Sequence, residues 1–182
     1  MPGYPRRKER PPLTAQALDE LALRYVGRFA TTKAKLASYL SRKVCERGWS
    51  GELEPDVAAL AGRLARLGYV DDAAYALSKS RALTGRGYGE RRVRQSLKAA
   101  GVGEEDSRPA EELAKDERVD AALKFARRRR IGPFADAPPE REQREKWLAA
   151  MVRAGHGFGL ARALAALNPG ENFDLEELNE KR

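Results

Sequence analysis

The stretch Val93-Arg94-Gln95-Ser96-Leu97-Lys98-Ala99-Ala100-Gly101 carries the pattern on which the fold depends. Its two apolar residues, Val93 and Leu97, are four positions apart, and Gly101 follows four positions later. Apolar residues at this spacing lie on one face of an α-helix, and glycine readily adopts the left-handed conformation that ends one. The stretch therefore predicts an amphipathic helix that stops at Gly101.

The same pattern occurs in two further sets of residues: Leu40, Val44 and Gly48, and Trp147, Met151 and Gly155. The three closing glycines are separated by 53 and 54 residues, which is a nearly constant step. A constant step of this length indicates tandem repeats, here with the pattern in the middle helix of each trio. Repeats this small bury little surface alone and stack on their neighbours. The sequence predicts three three-helix modules forming an elongated, curved body.

Composition supports an all-α fold. The chain has 182 residues, with 30 alanines and 21 leucines against 8 valines, 1 isoleucine and 4 threonines. Alanine and leucine favour helices, whereas β-branched residues suit strands. We expect nine helices, the first capped by Thr14 and the second by Thr31 or Thr32. The sixth helix should be short and poorly packed, because Pro109 interrupts a polar segment. The predicted division of the chain is a disordered basic tail over 1–13, modules over 14–70, 71–115 and 116–167, a Pro-rich linker over 131–139 inside the third module, and an acidic tail over 168–182. The acidic tail is interpreted as solubilising, and the alternative is that Phe173, Leu175 and Leu178 dock it.

The scarcity of reactive residues excludes most kinds of site. A single cysteine, Cys45, and a single histidine, His156, cannot form an internal disulfide or supply a four-ligand zinc site, and they make a histidine-based triad improbable. We therefore expect no catalytic residues, no metal and no cofactor, with Cys45 as a small apolar filler and His156 either structural or exposed. The longest apolar run has six residues, 147–152, whereas a membrane span needs about 20. The Pro- and Arg-rich start lacks the apolar core of a signal peptide, so we expect a cytoplasmic protein.

Two glycine-rich segments, Gly85-Arg86-Gly87-Tyr88-Gly89 and Gly155-His156-Gly157-Phe158-Gly159, begin 70 residues apart. They precede helices with different places in their trios, so they are interpreted as similar turns and not as the repeat. Tyr88 and Phe158 are expected to dock their turns onto the core. Gly87 and Gly89 could alternatively let the backbone approach a phosphate, but this pattern is weak without a preceding strand. Trp49 and Trp147 are interpreted as packing residues.

Charge indicates an acidic partner. The chain has 35 Lys plus Arg against 27 Asp plus Glu, a net charge of +8. Residues 79–98 hold seven cations and one acid, and residues 103–120 reverse this with eight acids and three cations. Arginines outnumber lysines 25 to 10, which favours forked contacts to carboxylates and phosphates. The candidate partner-binding residues are Arg81, Arg86, Arg91, Arg94, Lys98, Arg127 and Arg128.

Within this set, Arg91, Arg94 and Lys98 share one face of the fifth helix. For any single one of these cations, the alternative to partner binding is that it belongs to a solvated helix face of mixed charge. Arg127 to Arg130 could equally stabilise the end of a helix, where positive charge is favourable.

Several motifs of the chain occur together in one known family. They are Leu67-Gly68-Tyr69-Val70-Asp71-Asp72-Ala73-Ala74-Tyr75-Ala76, Arg81, Gly85-Arg86-Gly87-Tyr88-Gly89, Val93, Leu97, Ala100-Gly101-Val102 and Arg153-Ala154-Gly155-His156-Gly157-Phe158. With these motifs the chain resembles the RecX regulatory proteins over roughly residues 17–167, most specifically in the second module. The resemblance implies three three-helix repeats and a monomeric cytoplasmic protein that binds RecA and its filament on DNA. Such proteins act in homologous recombination and the SOS response, where they mostly restrain the recombinase, ATPase and coprotease activities of RecA, and weak non-specific DNA contact is expected.

A second class of function stays open. Helices four and five are joined by a glycine-bearing turn, as in a helix-turn-helix DNA-binding protein. In that case Arg91, Arg94, Gln95 and Lys98 would enter a major groove.

Overall fold

The computed structural model describes residues 11–181, and the described chain is α-helical, as the composition predicts. An isolated bridge between Leu13 and Trp49 is its sole β feature. The helices are α1 (Ala15–Val26), α2 (Lys33–Arg47), α3 (Val57–Arg66), α4 (Asp72–Gly85), α5 (Glu90–Ala99), α6 (Glu104–Asp116), α7 (Arg118–Arg129), α8 (Arg141–Arg153), α9 (Phe158–Ala166) and α10 (Leu175–Glu180). A 3₁₀ turn, Gly132–Phe134, lies between α7 and α8.

Side-chain caps start the helices of the first trio. Thr14 Oγ1 accepts a hydrogen bond from the Ala17 N–H at 3.1 Å, and Thr32 Oγ1 accepts one from the Lys35 N–H at 3.1 Å. Asp56 caps α3 in the same way, because its carboxylate accepts a hydrogen bond from the Ala59 N–H. Each cap satisfies a backbone donor that the helix itself leaves without a partner.

The repeat is confirmed at the ends of the middle helices α2, α5 and α8. Gly48, Gly101 and Gly155 follow these helices with φ of 81°, 68° and 97°. Of the apolar residues in the pattern, Leu40, Val93, Leu97, Trp147 and Met151 are buried and Val44 is half-buried. A positive φ at the same place in each trio explains why glycine recurs there.

The chain divides into two compact units, one ending at Asp71 and the other beginning at Asp72. In the first unit, α1–α3 enclose a core that includes Leu18, Leu36 and Leu64. The second unit has two cores. One lies among α4, α5 and α6, and the other among α7, α8, α9 and α10.

The prediction for the sixth helix is wrong. Helix α6 runs for 13 residues with Pro109 inside it, and it packs closely on α4. Its buried face consists of small residues, Ser107, Ala110 and Ala114. Small side chains let two helices approach closely, and the Ser80 hydroxyl on α4 donates a buried hydrogen bond of 2.8 Å to the Ala110 carbonyl. Packing against α4 therefore outweighs the hydrogen bond that proline removes.

The segment 168–182, expected to be merely solubilising, contains a docked helix. Leu178 on α10 is 4% exposed and packs into the core of the third trio. The Phe173 ring meets the Phe134 ring edge-on at 6.2 Å. At the other end of the chain, residues 1–10 of the expected basic tail lie outside the described residues, whereas Leu13 is fully buried and donates a backbone hydrogen bond to Gly48.

Two smaller expectations are also wrong. Cys45 is exposed and fills no core. Phe158 is 53% exposed, so it does not dock its turn, while Tyr88 does pack against the core of the third trio. Phe158 is the first residue of α9, and the side chains that α9 buries begin with Leu160.

Candidate partner-binding surface

Helix α5 carries the cationic stripe that the sequence predicts, but its middle member is paired. Val93 and Leu97 are buried, which leaves Arg91, Arg94 and Lys98 exposed. Arg94 Nε lies 2.9 Å from a carboxylate oxygen of Glu111 on α6. Within residues 11–181, neither Arg91 nor Lys98 forms an ion pair.

The pairing of Arg94 follows from the packing of α5 on α6. Glu111 is 30% exposed, and its other carboxylate oxygen accepts a hydrogen bond of 3.1 Å from the Ser107 hydroxyl. Ser107 thereby holds the carboxylate in front of Arg94. Because Arg94 is 61% exposed, the pair contributes little to stability, but it reduces the positive charge that α5 offers.

A groove of about 680 Å³ runs between α5 and α6. Its charged lining is balanced, with four cations and four acids: Arg94, Lys98, Arg108, Lys115, Glu90, Glu104, Glu111 and Glu112. Such a groove has no strong preference for phosphate. The acids of α6 oppose the entry of a DNA backbone next to α5.

Arg86 and Arg128, which the sequence places in different modules, meet in the second unit. Arg128 Nη1 donates a hydrogen bond of 2.6 Å to the Arg86 carbonyl. The Arg128 guanidinium also lies over the Phe125 ring at 5.5 Å. This contact is close because the turn before α5 lies on α7, where a Cβ at Gly87 would be 2.8 Å from the Phe125 nitrogen.

The other cations of this region have distinct surroundings. Arg81 is exposed on α4, and Arg127 lies over the Phe134 ring at 5.0 Å. Arg130 ends α7 with a left-handed φ of 54° and pairs with Asp136 at 2.6 Å. Of the four consecutive arginines, Arg127, Arg128 and Arg129 therefore keep their charge without an acidic partner among residues 11–181.

The two glycine turns pack against each other, which the sequence did not reveal. The Gly89 N–H donates to the Ala154 carbonyl at 3.0 Å, and the Arg91 N–H donates to the Gly155 carbonyl at 3.1 Å. A Cβ at Gly89 would lie 2.4 Å from the Gly155 carbonyl carbon, and one at Gly155 would lie 2.5 Å from the Arg92 nitrogen. We call this contact the turn junction (residues 85–91 with 154–157).

His156 anchors the turn junction. It is 2% exposed, and its Nε2 lies 3.1 Å from the Gly87 carbonyl. Burial lowers the pKa of His156 to about 4, although the hydrogen bond to Gly87 acts in the opposite direction. The ring is neutral at pH 7, and it must carry its proton on Nε2 because a carbonyl only accepts. Of the two alternatives for this residue, the structural one is correct.

Residues 11–181 contain no cluster of three or more His, Cys, Asp or Glu side chains placed to hold a metal ion. None of the helices they form is long and apolar enough to cross a bilayer.

Known proteins of one family resemble this chain. Residues 71–109, from α4 into α6, match the family described as RecX, second three-helix domain. The chain is 36% identical over 186 residues to Regulatory protein RecX of Myxococcus xanthus, covering 92% of this chain and 96% of that protein. It is 36% identical over 147 residues to Regulatory protein RecX of Thermus thermophilus, covering 80% and 89%.

Among solved structures, the crystal structure of RecX from Lactobacillus salivarius matches with a TM-score of 0.58 at 17% identity, covering 82% of this chain and 92% of that one. A crystal structure of regulatory protein RecX matches with a TM-score of 0.60 at 22% identity, covering 82% and 70%. At these identities the two structures show a shared fold.

Proposed function

Because this chain belongs to the RecX family of regulatory proteins, we propose that it binds RecA and the RecA–DNA filament and mostly inhibits recombinase, ATPase and coprotease activity. In this proposal the protein is a cytoplasmic monomer that transforms no substrate and needs no cofactor. Its action consists of occupying an acidic surface of the filament.

The turn junction supports this proposal. Its first segment, which holds Arg86 and Arg91, also contacts the end of α7, where Arg128 donates a hydrogen bond to the Arg86 carbonyl and Arg127 is the preceding residue. These four cations have no acidic partner among residues 11–181, so their charge is available to a partner. Unpaired charges of one sign attract an oppositely charged surface and accelerate association.

Contact through more than one repeat would strengthen binding. Once one trio is bound, its neighbour meets the filament at a high effective concentration, so contacts that are weak alone become useful together. The proposed surface consists of Arg86, Arg91, Arg127 and Arg128, with Arg81 and Lys98 as outlying members. Arg94 joins it only if the partner displaces Glu111.

The DNA-dependent ATPase of RecA tests the proposal. Wild-type protein should inhibit it, and inhibition well below one molecule per RecA would indicate action on whole filaments. Replacing both Arg86→Glu and Arg91→Glu should raise the concentration for half-inhibition about tenfold or more, because exposed interface charges act on association. These side chains make no ion pair within residues 11–181, so folding should be retained.

A matched control separates a local effect from net charge. Arg66→Glu with Arg162→Glu makes the same change of charge at exposed arginines outside the proposed surface and should leave inhibition unchanged. Equal loss in both double variants would contradict the surface assignment. A wild-type protein without effect on RecA at any ratio would contradict the proposed function.

Duplex DNA binding through α5 is the second candidate. It is favoured by the exposure of Arg91, Gln95 and Lys98 on α5, and opposed by the acids of the adjoining groove. Titration of naked duplex DNA at rising salt separates the two. Tight, sequence-selective binding at physiological salt supports a helix-turn-helix function, whereas weak and steeply salt-dependent binding reflects only phosphate attraction.

A further inference from the structure

Three aromatic rings cluster on the first unit, where the end of α1 meets α2. The rings of Tyr25 and Tyr39 are nearly parallel, with centroids 4.1 Å apart and an angle of 20°. The ring of Phe29 follows at 5.3 Å from Tyr25 and is tilted by 49° to it. Tyr25 and Tyr39 are half-buried against the core of the unit, whereas Phe29 is 56% exposed. Phe29 is therefore the outer ring of an aromatic column (Tyr25, Phe29 and Tyr39) whose inner rings are anchored.

Positive charge surrounds the aromatic column. Residues 24–47 contain seven Lys and Arg but one acid, Glu46, which gives a net charge of +6. The Arg42 guanidinium lies 5.7 Å from the centre of the Tyr39 ring, and Lys43 Nζ lies 5.8 Å from it. Glu46 is shared by both cations, at 3.7 Å and 2.5 Å, so its single charge neutralises only one of them.

Another cation, Arg28, directly precedes Phe29 in the sequence, is exposed, and forms no ion pair within residues 11–181. The surface thus offers an accessible, supported ring face bordered by cations.

We infer that the aromatic column and its cations bind a single-stranded nucleic acid, with a base stacked on Phe29 and the neighbouring phosphates on Arg28 and the cations of α2. Base–aromatic stacking is tolerant of sequence because every base has a π-face, and cations along the strand neutralise its backbone. A duplex buries its base faces and cannot use Phe29. An acidic protein surface would satisfy the charges but would leave the ring without a planar partner.

Fluorescence anisotropy of the full-length chain with a labelled oligothymidylate about 20 nucleotides long tests this site. Phe29→Ala should weaken binding about 5- to 150-fold, the range that loss of one stacked base produces. Phe29→Trp should retain binding, because its ring also stacks. Phe158→Ala is the matched control, since Phe158 is exposed to 53% and lies in the other unit, and it should leave binding unchanged.

A strand of abasic sugar-phosphate isolates the stacking contribution. Wild-type protein should bind it more weakly than oligothymidylate, while Phe29→Ala should bind the two strands equally. Equal binding of oligothymidylate by wild type and Phe29→Ala would overturn the inference. So would tighter binding of a duplex of the same length, or binding of an oligoglutamate that depends on Phe29 to the same extent. These mixtures contain no RecA, so their outcome is independent of the proposed function.

Discussion

Replacing Gly89 with alanine tests the close contact at the turn junction. Gly89 has extended backbone, with φ of −83° and ψ of 171°, which alanine adopts without strain. A Cβ there would lie 2.4 Å from the Gly155 carbonyl carbon and 2.5 Å from the His156 nitrogen. Both obstacles are backbone atoms, so they cannot be relieved by a change of rotamer. The turns must either strain or separate.

The expected loss of stability can be estimated from these contacts. Separation breaks the hydrogen bonds from the Gly89 and Arg91 N–H groups, at about 0.5–1.5 kcal/mol each. Forcing extra volume into a packed site costs about 1–3 kcal/mol. Because strain and separation are alternatives that each cost about 1–3 kcal/mol, we expect Gly89→Ala to lower the free energy of unfolding of the second unit by about 1–3 kcal/mol.

Gly103 provides the matched control. It also occupies the N-cap position of a helix, with φ of −69° and ψ of 161°, and a Cβ there would have no atom within 4 Å. Alanine at either position loses the same N-cap preference of glycine and restricts the unfolded chain equally. Gly103→Ala should therefore change stability by less than about 1 kcal/mol. The difference between the two variants isolates the contact.

Urea unfolding, followed by Trp147 fluorescence, measures this difference. Trp147 is buried in the second unit, and a Trp49→Phe background removes the signal of the first unit. The slope of unfolding against urea should be similar in both variants, with a lower midpoint for Gly89→Ala. Agreement of the two variants within about 0.5 kcal/mol would refute the reasoning, because surface substitutions of no consequence differ by that much.

Three further changes have defined outcomes. His156 has a pKa of about 4 in the folded protein and about 6.5 in the unfolded chain, so the unfolded chain binds the extra proton. The free energy of unfolding should therefore fall by about 3 kcal/mol as the pH drops from 6.5 to 4. His156→Gln should flatten this part of the curve of stability against pH, measured by urea unfolding, and an unchanged slope would contradict the role of His156. Leu178→Ala should lower the free energy of unfolding by about 2–5 kcal/mol, measured by thermal or urea unfolding. Leu175 is 54% exposed, so Leu175→Ala should change the free energy of unfolding by no more than about 0.5 kcal/mol. Equal effects of the two substitutions would show that α10 is not docked. Arg94→Gln should lower the free energy of unfolding by less than about 1 kcal/mol, because the ion pair with Glu111 is exposed. A double-mutant cycle with Glu111→Gln should give a small coupling energy. A coupling energy of several kcal/mol would contradict the exposed geometry of the pair.

Local signals in the sequence predict much of this fold. Thr14 and Thr32 start α1 and α2 as expected, because an N-cap depends only on neighbouring residues. The repeated pattern around Gly48, Gly101 and Gly155 gives the middle helix of each trio for the same reason. Such features need no knowledge of what packs against them.

Features that depend on distant residues were predicted less well. Helix α6 looks interrupted at Pro109, because the pairing of its small residues with Ser80 on α4 is visible only in three dimensions. Helix α10 has only six residues, too few to show a periodic pattern, yet Leu178 docks fully. Glu111 lies 17 residues from Arg94 in sequence, so its neutralising contact could not be read from the spacing along α5.

The contact between the two glycine turns also depends on residues that are distant in the sequence. Where two backbones approach within van der Waals distance, neither side has room for a Cβ, so both Gly89 and Gly155 must be glycine. Gly89 and Gly155 are 66 residues apart, so the sequence alone could not show that each is required by the other. The junction also brings Arg128 to the Arg86 carbonyl. If the proposed surface acts through both arginines, Gly89→Ala should weaken inhibition of RecA together with stability, whereas Gly103→Ala should leave both unchanged.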